Sequence, residues 1–79
     1  MHMEINVMAF GQIVDIFGSR SLQFKNVNST DDLKNKIEDQ FPELKKMNYL
    51  VAVDHNIIQN DTIITDKNAI ALLPPFSGG

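Results

Sequence analysis

Only one stretch of this chain repeats its apolar residues at sustained helical spacing. In "NSTDDLKNKIEDQFPEL", Leu33, Ile37 and Phe41 recur every four residues and lay a single buried stripe along a helix. Ser29 or Thr30 accepts the free backbone N–H groups at its start. Asp31 and Asp32 complement the positive end of its dipole. Pro42 has no N–H for the ladder, so the helix is expected to end near Phe41. One stripe on one helix has to be buried against something, and the rest of the chain offers strands.

"MEINVMAF" alternates, with Ile5, Val7 and Ala9 on one side and Met8 and Phe10 on the other. It reads as a strand with both faces partly covered. In "GQIVDIFG", Ile13, Ile16 and Phe17 fit a short helical turn that Gly18 ends in the left-handed region. "RSLQFK" has the half-buried strand pattern, Leu22 and Phe24 facing one way. "NYLVAVD" is apolar on both faces and reads as a central strand. "HNIIQNDTIIT" holds a minor strand between polar punctuation. "DKNAIALLPP" turns at Asp66, Lys67 and Asn68 into a last strand, about Ala69 to Leu73, which Pro74 and Pro75 stop. The order is strand, strand, helix, strand, minor strand, strand. One helix across one face of a mixed sheet buries both patterns. This is an α+β chain with the β-grasp plan: a domain over residues 1–73 and an extended tail over residues 74–79.

With 79 residues the chain has room for one thin core. It contains no cysteine, which removes disulfides, thiolate metal sites and a Cys nucleophile. The net charge of −3 speaks against a nucleic-acid partner. No apolar run is long enough to span a bilayer, and "MHMEINVMAF" lacks a signal-like pattern, so a cytoplasmic protein is expected.

Catalytic residues are scarce. His2 is terminal, and His55 lies in a turn between Asp54 and Asn56, where it reads as solvated. No spacing suggests a metal site. Ser77 has no neighbouring His and no nucleophile-elbow context. The "NST" at Asn28 to Thr30 reads as a helix cap rather than a glycosylation site.

The tail "LLPPFSGG" is the informative segment. Pro74 and Pro75 hold it extended and lower the entropy lost when a partner orders it. At ~3.3 Å per residue, Pro74 to Gly79 reach about 20 Å beyond the sheet. Gly78 and Gly79 have no Cβ, so the terminal carboxylate fits a channel too narrow for other residues. A carboxylate is a poor electrophile. Activated as an acyl-adenylate it has a good leaving group, and a sulfur nucleophile then leaves a thiocarboxylate on Gly79.

With "ALLPPFSGG" at the end, a first strand closing in "AF", the mid-chain "VAVD" and the run "DKNAIALLPP", the sequence resembles the MoaD family over nearly its whole length. These are the small sulfur-carrier subunits of molybdopterin synthase, with a β-grasp, ubiquitin-like fold. The resemblance implies a non-catalytic subunit with no stably bound cofactor. A MoeB-like enzyme spends ATP to adenylate Gly79, and a persulfide protein donates the sulfur. The tail then enters a dimeric MoaE-like large subunit, flanked by two carriers as a heterotetramer. There the sulfur passes to cyclic pyranopterin monophosphate, giving molybdopterin. Gly78 and Gly79 match the family's ending directly. Leu73, Pro75, Phe76 and Ser77 are the expected partner contacts, with Phe76 foremost.

Two departures stand out. Many relatives have a glycine in the turn before the last strand, where this chain has Asp66-Lys67-Asn68, and an Arg-Glu pair in the first helix, which "GQIVDIFG" lacks. Neither touches the tail. Alternative readings are a ThiS-like or tRNA-thiolation carrier, a ubiquitin-like modifier joined to lysines through Gly79, and a binding module with an inert tail. The Pro-Pro-Phe segment favours the molybdopterin carrier over the thiamine one.

Overall fold

In the computed structural model, residues 4–75 are described. Strands β1 (Glu4–Ala9), β2 (Ser21–Lys25), β3 (Leu50–Val53), β4 (Asn56–Ile58) and β5 (Ile70–Leu73) form one sheet in the order β2-β1-β5-β3-β4. Helix α1 (Gln12–Phe17) joins β1 to β2, and α2 (Thr30–Gln40) follows β2. The β1–β5 pair is parallel and the other three are antiparallel. Parallel neighbours need a long crossover. Everything between β1 and β5 supplies it, including α2. This is the β-grasp arrangement expected from the order of patterns.

The alternation in β1 decides which face is covered. Ile5, Val7 and Ala9 are buried, and Leu33 and Ile37 of α2 share their core with Phe24, Val51, Val53, Ile70 and Leu72. Met8 and Phe10 do not have the partial cover expected of them: they are 48% and 43% exposed, because α2 lies across only one face. Strand β3 is buried along Val51, Ala52 and Val53, as its sequence suggested, but the middle of the sheet is β5. The minor strand is β4, joined to β3 by Asp54 and His55 at φ 51° and 71°. Two left-handed residues between paired Val53 and Asn56 are the tight hairpin turn whose twist matches the strands.

At the start of α2 the hydroxyl of Ser29 accepts from the N–H of Asp32 at 3.2 Å. Thr30 does something else. Fully buried, it accepts from the N–H of Thr62 at 2.8 Å. Asp61 reaches back to accept from the N–H of Asp31 at 2.9 Å. A loop far along the chain thus supplies half of the cap. At the other end, Phe41 closes the helix through its N–H to Ile37, as Pro42 requires. The chain then continues as a 3-10 helix, Pro42–Lys46, whose Leu44 is buried. No local pattern marks this turn beyond a single apolar residue among charges.

A second long-range clasp holds the β3–β4 turn to the start of β5. The carboxylate of Asp54 accepts from the N–H of Ala69 at 2.8 Å and the amide of Asn68 at 2.7 Å. The N–H of Asp54 donates to the carbonyl of Ala69 at 2.8 Å. The N–H of Ala69 first, and then Asn68, hold the Asp54 carboxyl below the usual carboxylate range. The N–H of Asp31 does the same for Asp61. A depressed folded-state pKa adds stability above the unfolded pKa, and that stability is lost as pH falls through the folded one. Urea midpoints should therefore be flat from neutrality down to roughly pH 5 and fall below about pH 4, the unfolded carboxyl range. Asp54→Asn should flatten that fall. An acid limb identical in the variant would show that the clasp does not carry the effect.

Candidate functional site

The register lines up the uncovered face of the sheet. Met8 pairs with Ala71, Ala71 with Ala52, and Ala52 with Ile57, so these four side chains cross the open face in one row. The two alanines make a low floor. Met8, Phe10, His55, Ile57 and Leu73 rise around it, enclosing a concavity of about 370 Å³. Among the described residues, Met8, Phe10 and Ile57 are three of the four large apolar side chains left exposed. Away from the concavity the same face turns polar. Asn6 pairs with Gln23, and Glu4 pairs with Lys25, their side chains forming an ion pair at 3.8 Å. The apolar half is the half from which the C-terminal segment departs. Small floor and apolar rim suit a protruding apolar side chain from another protein.

Strand β5 delivers the tail there. Leu72 points into the core and Leu73, half-buried, points to the open face, where it forms part of the concavity wall. Pro74 and Pro75 follow, both half-buried. Of the expected partner contacts, Leu73 thus lies in the concavity wall and Pro75 two residues beyond it. Phe76, Ser77, Gly78 and Gly79, where the thiocarboxylate is expected, lie outside the described residues.

His55 is exposed in its turn, as expected, and also borders the concavity, which the turn pattern did not reveal. The face itself had a signal in the sequence. Met8 and Phe10 stood opposite Ile5, Val7 and Ala9, but pattern alone could not say that the second face had no cover.

Among the described residues no three His, Asp or Glu side chains are grouped as a metal site would need. No helix among them is long and apolar enough to cross a membrane. Tyr49 donates its hydroxyl to Glu38 at 2.5 Å. Burial, reinforced by Glu38, raises the phenol far above its ordinary value, so it stays protonated and ties β3's approach to α2. It is a strut between the two elements.

Comparison with known proteins agrees with this geometry. The model of the ThiS family matches residues 7–79. A putative molybdopterin converting factor subunit 1 from Pyrococcus furiosus superposes with a TM-score of 0.82 at 15% identity, covering 94% of this chain and 99% of that one. The small archaeal modifier protein 1 from Methanosarcina acetivorans gives 0.80 at 21% identity, covering 100% and 99%. Identities this low show the shared fold alone. A chain in the protein-protein complex of subunits 1 and 2 of the molybdopterin-converting factor from Helicobacter pylori is 28% identical, with a TM-score of 0.70 and coverage of 98% of this chain and 100% of that one.

Proposed function

The chain belongs to the ThiS family, and from that premise we propose that it is a sulfur carrier working through the carboxylate of Gly79. The observation that carries the reading is that the family match runs through the final Gly-Gly rather than stopping with the sheet. In this mechanism an activating enzyme of the MoeB type joins the Gly79 carboxylate to AMP, releasing pyrophosphate. A persulfide attacks the terminal carbonyl, the C–O bond to AMP breaks, and an acyl disulfide forms. A thiol cleaves its S–S bond and frees the thiocarboxylate. The carrier supplies reach and shape; the catalytic groups belong to its partners.

The recipient we favour is cyclic pyranopterin monophosphate, held by a large subunit of the MoaE type. Support comes from the "PPFSGG" ending and from the Helicobacter pylori complex of two converting-factor subunits. The apolar concavity docks on that subunit while Pro75, Phe76, Ser77 and Gly78 line the path of the inserted tail. A cytoplasmic setting, where the activating enzyme has ATP, fits this role.

Incubation with an activating enzyme, ATP and a persulfide donor is expected to raise the mass of the intact chain by the difference between one sulfur and one oxygen. An unchanged mass would sink the carrier reading. A second reading is favoured by the fold shared with small archaeal modifier protein 1: a modifier joined through Gly79 to lysines. It predicts slow-migrating covalent adducts on gels with or without sulfur, and these would take its side. A carrier for thiamine or tRNA thiolation has the same mass gain and differs in which acceptor discharges it.

A further inference from the structure

Gly11 stands where β1 gives way to α1, at φ 58° and ψ −134°, a conformation that L side chains rarely adopt. A Cβ built on it would lie 2.8 Å from Cγ of Pro74, so the proline ring rests on the bare glycine backbone. The preceding N–H, that of Phe10, donates to the carbonyl of Leu72 at 3.2 Å. The β1–α1 turn therefore grips the chain on both sides of Leu73, the last residue of β5. The ring of Pro74 fixes its own φ. With its ring seated and its preceding strand bonded, the backbone has little freedom left at the point of departure.

We propose that Gly11 is a positioning residue for the exit of the C-terminal segment: its bare backbone is the seat for Pro74, and the seat sets the direction in which the chain leaves the sheet at Pro74. The inference deepens the carrier reading above and rests on it for its consequence. A partner that docks on the open face then meets the chain already directed at Pro74, and the entropy of ordering that point is smaller. Any side chain at Gly11 would push Pro74 off its seat while leaving the concavity intact.

Gly18 provides the control. It also has a positive φ, 73°, but nothing lies within 4 Å of a Cβ added there. Gly18→Ala thus imposes left-handed strain without touching the tail. The full-length protein and its Gly11→Ala, Pro74→Ala and Gly18→Ala variants would be assayed for thiocarboxylate formation with activating enzyme, ATP and persulfide donor. Thermal melting would be followed in parallel. Gly11→Ala and Pro74→Ala should lower the rate at sub-saturating carrier about 10- to 100-fold, through a raised half-saturating concentration and a misaimed reacting group. Gly18→Ala should lower the melting temperature and keep the rate. Pro74→Ala leaves the Gly11 backbone alone and decides the matter if Gly11→Ala does not fold. Wild-type rates in Gly11→Ala or Pro74→Ala would overturn the proposal, as would an equal loss in Gly18→Ala. A separate NMR measurement needs no sulfur chemistry: the Hα protons of Gly11 should show cross-relaxation to the ring protons of Pro74, and its absence removes the seat. Failure of the wild-type chain to gain sulfur would overturn the carrier reading, while the NMR result still decides the seat.

Discussion

A single residue added after Gly79 is expected to abolish thiocarboxylate formation and sulfur transfer, with the melting temperature unchanged. The only group on which the proposed chemistry occurs is the terminal carboxylate. One more residue moves it by ~3.3 Å along an extended chain. Misplacement of a reacting carbon by about 1 Å already costs on the order of 100-fold, and here the displacement is larger. The new residue also brings a Cβ where the proposed channel admits only glycine. Among the described residues the last member of the core is Leu72, seven positions before Gly79, so the addition is expected to leave folding unchanged. Mass spectrometry of the carrier after incubation, beside a melting curve, checks both halves. Retained transfer would refute a mechanism based on the terminal carboxylate.

The second large effect is on stability. Leu72→Ala is expected to cost about 2–5 kcal/mol, the range for emptying a fully packed leucine site. A domain of this size has about 4–12 kcal/mol in total, so a large part of its margin would go. Leu72 has no exposed surface and is paired with Ala9 on one side and Val51 on the other. A cavity there opens in the middle of the sheet, under the strand that launches the tail. Leu73→Ala, one residue on, should cost far less, because Leu73 faces the open side and is only half-buried. Urea denaturation of the two variants measures the contrast. Equal losses would mean that the open face contributes as much packing as the core.

That contrast marks what could be read in advance. The alternation in β1 and β2, and a four-residue period in α2, mark which residues share a face without any coordinates, because side-chain direction follows backbone geometry. Pro42, Pro74 and Pro75 mark the ends of elements for an equally local reason: a missing donor. The tail is legible too, since its meaning lies in reach and in absent side chains. The 3-10 helix was not legible, because its one buried residue, Leu44, makes no pattern. Nor was the exposure of Met8 and Phe10, which depends on how many helices the sheet receives.

The sequence by itself determined the strands and the two α-helices, the inward-facing residues, the β-grasp order and the Gly-Gly ending. Each depends on the chemistry of residues a few positions apart. Only the tertiary structure decided that Asp61 caps a helix thirty positions before it and that Asp54 clasps Ala69. It alone brought Ala52, Ala71 and Met8 into one floor and wall, and set Pro74 on Gly11. These pairings join segments that no local pattern connects. They exist because burying one face of the sheet under α2 fixes the register of every strand, and the register fixes what meets on the other face.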